Sequence, residues 1–356
     1  MPDWSASMQQ TYEFYKVDPD TWGEIKKVDF ITSGSVEFDS SLETKGSASF
    51  VATNVFEDQY IRPYLVINQN KQVGKYPLGT YLCTAPGISF SGKNKEINID
   101  GYSPLVELKE KLPPVGYSVL RGKSILDTAY SILFEQMRGP AVRGSDASVL
   151  DADFVANMND TWLTFITDFI GNIDYELGLD ELGRVLFMPI QDVNSLSPRW
   201  TYSDNNSSIL QPQITVDRDI YNVPNVVEVI YSKSNNDTNN TLYSIVKNTD
   251  KTSSVSIPSR GREVVYRETD PKINGDVTKE RLDVYANRIL KEKSALEYKL
   301  TYTHGYCPVR VGDCVLLNYE RAGLTNIKAK VISQRINLTP GCQVEETAVF
   351  SSSLWG

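Results

Sequence analysis

A single histidine, four scattered cysteines and no long apolar run mark this 356-residue chain. With His304 as the only imidazole, any Ser-His-Asp or Cys-His mechanism would have to run through it, and a His-rich metal site is excluded. Cys83, Cys307, Cys314 and Cys342 lack the close pairing of zinc sites, so they read as buried, reduced thiols. No stretch approaches the ~20 apolar residues that span a bilayer. The start, Met1-Pro2-Asp3-Trp4-Ser5, has neither a basic head nor an apolar core, so no signal peptide is read and synthesis in a cytoplasm is expected. Positive charge is also short. Lys and Arg total 36 against 45 Asp and Glu, a net charge of -9, which excludes a protein that wraps nucleic acid. DNA near such a surface would pass and not be held.

What the chain does have is β-sheet pattern at both ends. Lys75-Tyr76-Pro77-Leu78-Gly79-Thr80-Tyr81-Leu82-Cys83 is a glycine turn entering an alternating strand, and Val309-Arg310-Val311-Gly312-Asp313-Cys314-Val315-Leu316-Leu317 does the same near the other end. The 20 tyrosines suit strands and wet interfaces. The first twenty-odd residues read as an arm ending near Asp18-Pro19-Asp20, followed by strands over 24–38, 46–53, 61–68, 76–84, 88–91 and 96–102. Ser103-Pro104 opens a short helix to Leu112, and Pro113-Pro114 stops it. The middle turns helical. Ser124 caps a helix carrying Ile125, Ala129, Ile132 and Leu133, and Asn159 or Asp160 caps a second with Trp162, Phe165, Ile166, Phe169 and Ile170 on one stripe. A hairpin over 173–188 follows. Strands then resume over 214–216, 226–231, 242–246 and 255–266, with 232–241 as a hairpin loop, a helix over 278–292, and alternation from 296 to 350.

The expected fold is mainly β with an α+β insert: two antiparallel β-barrels flanking a helical middle. The expected domains are 1–112 (a barrel with an N-terminal arm), 113–212 (the insert) and 213–356 (a barrel with one helix).

Chemistry is sparse. Gly87-Ile88-Ser89-Phe90-Ser91-Gly92-Lys93-Asn94 has P-loop spacing, but Asn94 stands where Ser or Thr would hold magnesium, and the alternation after it is a strand's. A hairpin turn is expected. Asp18/Asp20, Asp151/Asp153, Glu176/Asp180/Glu181 and Glu345/Glu346 could suit a glycosidase only if burial split their acidities. Ser244-Ile245-Val246-Lys247 matches S-x-x-K on a strand without its companion motifs. Lys26-Lys27 and Arg260-Gly261-Arg262 read as charged strand edges. His304 is expected in a loop or packing role, so that His304→Ala leaves assembly unchanged. No catalytic, cofactor-binding or metal residue is assigned, and no cofactor is expected.

In order and spacing, Arg62-Pro63-Tyr64-Leu65-Val66-Ile67-Asn68-Gln69, Pro77-Leu78-Gly79-Thr80-Tyr81, Gly101-Tyr102-Ser103-Pro104-Leu105, Pro113-Pro114-Val115-Gly116-Tyr117 and Gly312-Asp313-Cys314-Val315 give a pattern that resembles the phage tail hub, or baseplate hub, family. The likeness is to members from phages of Gram-positive hosts. It implies a non-enzymatic virion protein with two tube-type barrels per chain. Three chains would form a homotrimer of sixfold appearance that adapts the hexameric tail tube to a threefold tip and lines the DNA-ejection channel. Implied partners are a tail tube or distal tail protein, the tape measure protein and a tail-tip or fibre protein. The implied location is the virion tail tip after assembly in the host cytoplasm. The chain stops at Ser353-Leu354-Trp355-Gly356, about where the last barrel would close, so no fused hydrolase is expected. The competing readings are a tail-associated cell-wall hydrolase and a receptor- or carbohydrate-binding tip module.

Overall fold

The structure is a computed structural model that describes residues 2–54, 58–91, 94–205, 208–218, 221–235, 238–269, 271, 273, 277–294 and 296–352. It is mainly β, with few helices, as the alternation predicts. Eight strands form the first β region: β1 (Gln9–Val17), β2 (Glu24–Val28), β3 (Ile31–Asp39), β4 (Gly46–Ala52), β5 (Gln59–Gln69), β6 (Gln72–Pro77), β7 (Tyr81–Ser91) and β8 (Asn94–Tyr102). Their order is β2-β1-β5-β7-β8-β4-β3, with β6 also on β5. Val36, Phe50, Ile61, Leu65, Ile67, Ile97 and Ile99 are buried on the core side, each contributing about 1.5–3 kcal/mol by leaving water.

The expected N-terminal arm is a strand inside the sheet. β1 pairs with β2 on one side and with β5 along its full length on the other, and its Phe14 and Val17 are buried.

The two β regions were expected as separate barrels, yet they share one sheet. β3 pairs antiparallel with the strand Leu324–Asn337, placing Ser35 opposite Asn337 and Glu37 opposite Arg335. The path continues through Gln343–Ser352 and Leu296–Gly305 to Leu210–Arg218. Cys314–Tyr319 pairs antiparallel with Leu324–Asn337 and parallel with Trp200–Ser203. Pairing of strands nearly three hundred residues apart depends on tertiary shape, which local pattern does not carry.

The chain divides into two compact units, and none of the boundaries is at Pro113-Pro114. The first comprises Met1–Val149, Asp153–Ile214 and Thr301–Ala348; the second comprises Leu150–Ala152, Thr215–Leu300 and Val349–Gly356. The middle segment therefore belongs with both β regions in one body. Buried Glu107 is a physical reason: it accepts from Tyr60 Oη at 2.7 Å, from Arg138 backbone N–H at 2.8 Å and from Arg138 Nε at 2.6 Å. Burial pushes its carboxyl up, but the Arg138 and Tyr60 donors prevail and hold it below the usual carboxylate range.

Within the first unit, the two middle helices are Ile125–Gln136 and Trp162–Gly171. Ser124 caps the first by accepting from Asp127 N–H. Thr161, one residue past the expected cap, closes a reciprocal capping box with Thr164. Trp162, Phe165, Ile166, Phe169 and Ile170 are all buried, as their spacing requires. The helix expected from Ser103 shrinks to Val106–Lys109, and the hairpin is Tyr175–Leu179 with Val185–Pro189.

In the second unit, Thr238–Lys247, Val226–Asn235 and Val265–Thr269 form a three-stranded sheet. Its Val227 and Val229 pack on Leu282, Ala286, Ile289 and Leu290 of the helix Lys279–Ser294. The expected hairpin here is tighter than its polar composition suggests, with pairing up to Asn235 opposite Thr238. The strand expected over 255–266 is instead interrupted by a helix, Ile257–Arg260. Ser256 caps it, Pro258 starts it and Gly261 ends it in the left-handed region.

Candidate functional site

The glycine turns at the two ends of the chain are conformationally alike. Gly79 has φ +98° and Gly312 has φ +97°, each two residues before a strand that begins at Tyr81 or Cys314. Each N–H meets a carbonyl: Gly79 donates to Glu181 O at 2.7 Å and Gly312 to Val331 O at 2.8 Å. The tip of the 175–189 hairpin joins both turns. Glu181 accepts from Gly79 through its backbone and from Arg310 Nε through its side chain. Leu182 O accepts from Trp22 Nε1 at 2.9 Å and Thr80 Oγ1 at 2.7 Å. Buried Arg62 adds donors to Thr80 Oγ1 at 2.8 Å and Trp22 O at 3.3 Å. Farther along, Lys330 Nζ pairs with Glu176 at 3.1 Å. The space left among Leu78, Leu179, Met188, Val309 and Gly312 is about 50 Å³, small beside the ~300 Å³ or more of a typical small-molecule pocket. This is a filled joint between the β regions, not a ligand pocket.

His304 lies at the end of the Leu296–Gly305 strand, not in a loop, and is fully buried. Its Nδ1 is 2.6 Å from Gly305 O, and its Nε2 is 3.4 Å from Glu346 Oε2 and 3.1 Å from Tyr202 Oη. Burial alone would lower the imidazole pKa, but the Glu346 carboxylate and the Cys307 hydrogen bond push it up to about 10. Tyr302 Oη donates to the other Glu346 oxygen, and Gln334 Nε2 donates to Oε2 at 2.5 Å. Burial first, then Glu346, raises both Tyr202 and Tyr302 well above the ordinary phenol value. Cys307 Sγ is 3.3 Å from Tyr202 Oη. The cluster is a satisfied polar knot in the core, which sequence reasoning missed because its members span residues 202 to 346.

The remaining sequence candidates are dispersed. β7 and β8 form the expected antiparallel hairpin, with Ser91 opposite Asn94; Gly92 and Lys93 lie outside the described residues. Ser244 sits on a strand and donates to Asp283 Oδ1 at 2.5 Å, while Lys247 pairs with Glu263 at 2.6 Å. Asp180 is buried and pairs with Arg184 at 2.6 Å across its own turn. Asp18 accepts from Asp20 N–H at 2.9 Å, and alternation buries Glu346 while exposing Glu345. Arg260 is not on a strand edge: it donates to Val223 O at 2.6 Å and Tyr221 O at 3.1 Å from a helix end. The four cysteines are free and buried, as expected. Among the described residues, no three His, Cys, Asp or Glu side chains gather as a metal site, and no helix is long and apolar enough to cross a membrane.

Two edges of the first β region are open among the described residues. β2 pairs only with β1, and β6 only with β5. Ile25 on β2 is 54% exposed and Val73 on β6 is 69% exposed. Charge marks both edges: Lys27 and Lys75 pair with Glu13 at 2.9 and 3.1 Å and, despite slight desolvation, bring its carboxyl down to about 2.

No family model and no curated protein matches the sequence. Solved structures match nearly end to end. A tail protein from Neisseria meningitidis MC58 has TM-score 0.68 at 14% identity, covering 96% of this chain and 96% of that one. The 43 kDa tail protein of prophage MuSo2 from Shewanella oneidensis has TM-score 0.64 at 12% identity, covering 95% and 98%. Prophage tail protein gp18 from Listeria monocytogenes EGD-e has TM-score 0.56 at 11% identity, covering 97% and 95%. The chain has the fold of these phage tail proteins, in keeping with the resemblance to tail hubs, and the likeness is not confined to one host.

Proposed function

We propose that this chain is a structural hub of a phage-type tail, three copies of which close into a ring. The observation that carries the reading is one chain with two β regions, entered by equivalent glycine turns and joined side by side through β3 and Leu324–Asn337. Three such chains present six similar units, so the ring matches a hexameric tube on one side and a threefold tip on the other. The two β regions act as tube-type modules although they share a sheet, and the 113–212 segment stands on the ring's outer side. The open edges β2 and β6 join neighbouring copies, first β region against a neighbour's second. The net charge of -9 suits a ring whose channel passes DNA during ejection.

In this reading the chain is not an enzyme. It works in the virion at the tail tip, after assembly in the host cytoplasm. Its partners are the tail tube or distal tail protein, the tape measure protein and a tip or fibre protein. The solution mass of the purified chain tests the proposal, with a trimer expected. One, two or six chains per assembly would overturn it, as would lysis of purified cell wall by the pure chain.

A further inference from the structure

The helix Ile125–Gln136 carries two aromatic rings one turn apart on its outer side, Tyr130 and Phe134. Tyr130 is already occupied. The Arg143 guanidinium lies 4.9 Å from its ring centre, and Arg143 Nε is 3.9 Å from an Asp127 oxygen. Just past the end of the same helix the arrangement recurs, with the Arg138 guanidinium 5.4 Å from the Tyr60 ring and paired with Glu107. Twice, then, an arginine stacks on a tyrosine and answers a carboxylate. Phe134 has no such partner. It is 77% exposed, and among the described residues neither a ring nor a cation rests on it. It borders a groove of about 450 Å³, within the range of ligand sites, whose wall also holds Asp20, Lys111, Glu135, Met137 and Arg138. Both cations of that wall are engaged: Lys111 Nζ donates to Gln136 O, and Arg138 Nε donates to buried Glu107 at 2.6 Å. Both exposed carboxylates, Asp20 and Glu135, lack an ion pair among the described residues. Asp18 fixes the position of Asp20 by accepting from its backbone N–H at 2.9 Å. The C-terminal end of the helix adds its partial negative charge at the same place.

We infer that this groove receives an arginine side chain of a partner protein, its guanidinium stacked on Phe134 and paired with Asp20 and Glu135. Charge complementarity selects a cation, because the groove's own cations are engaged while its two outer carboxylates are not. The flat ring selects a planar guanidinium over a compact, strongly hydrated ammonium. An anion would meet the two carboxylates, and a sugar would leave both charges uncompensated. The inference goes beyond the hub reading and holds whether or not a ring forms.

Met137 lies in the groove wall, whereas Met158 and Met188 do not line it. Isotope-labelled methionine methyls therefore report on the site in NMR spectra of the full chain, in whatever oligomer it forms. The probe is the tripeptide Gly-Arg-Gly with both ends blocked, and its neutral isostere, with citrulline for arginine, is the control. The arginine peptide should shift the Met137 methyl with a dissociation constant on the order of 10 mM, as one stacked and ion-paired side chain implies. The citrulline peptide should bind roughly fivefold more weakly, and so should the arginine peptide to Phe134→Ala or to Asp20→Asn with Glu135→Gln. These three side chains are exposed, so the fold should stand, and unchanged Met158 and Met188 signals check it. Equal shifts from the citrulline peptide, no shift at Met137, or undiminished binding by Phe134→Ala would each overturn the inference. So would a Met137 shift of the same size from N-acetylglucosamine at equal concentration, which would mark the groove as a sugar site.

Discussion

His304 and Glu346 face each other across 3.4 Å with both side chains fully buried. Acceptors on both ring nitrogens, Gly305 O and the Glu346 carboxylate, favour the imidazolium. Tyr202, Tyr302, Gln334 and Cys307 complete the surroundings. Removing one member leaves the other charge stranded, which costs about 3–5 kcal/mol in such pairs. His304→Ala is therefore expected to lower the urea midpoint strongly.

The same pair sets a pH dependence. The folded imidazole titrates near 10 against an ordinary value of 6.5, so its stabilisation is complete below about 6.5 and is lost as pH rises through about 10. Tyr202 and Tyr302, raised by burial, add a loss in the same direction only once unfolded phenols ionise, near 10. Melting temperature measured from pH 6 to 10 should fall steadily. Glu346→Gln should start lower and flatten that slope; an unchanged slope would refute the assignment.

The two turn glycines should respond unequally to alanine. Both carry the left-handed strain, of order 1–2 kcal/mol. At Gly312 an added Cβ would lie 3.5 Å from Met188 Cε, an ordinary contact, whereas at Gly79 it would meet Tyr81 Oη at 2.4 Å. Gly79→Ala should therefore cost clearly more than Gly312→Ala in urea unfolding. Equal losses would show that Tyr81 yields easily.

Ile25→Asp with Val73→Asp probes the open edges. Both side chains are mostly exposed, so the folded chain should lose no more than about 0.5 kcal/mol per site. The proposed trimer should nonetheless drop to monomer in sedimentation, with an unchanged circular dichroism spectrum. A trimer that persists would move the interface elsewhere.

Local pattern revealed much of the secondary structure. The stripe from Trp162 to Ile170 and the cap at Ser124 lie where periodicity and capping chemistry put them. The Ile257–Arg260 helix was readable too, since Pro258 and Gly261 bracket it, but alternation on either side masked it. The buried polar knot was not legible, because Glu346 alternates with exposed neighbours like any strand residue, and its partners Tyr302, His304 and Gln334 reach it from other strands. Nor was the fusion of the two β regions: β3 and Leu324–Asn337 each read as ordinary strands, and nothing local says which edge each will meet.

Glu181 holds Gly79 with its backbone and Arg310 with its side chain, so one residue grips both β regions at their entry turns. Under load from a tail that contracts or recoils, the two regions cannot swivel separately without first breaking that grip. A ring of three such chains, as proposed above, would then yield along three lines and not six. Any opening of its tip would be a threefold movement of stiff plates, like an iris with half the leaves its outline suggests.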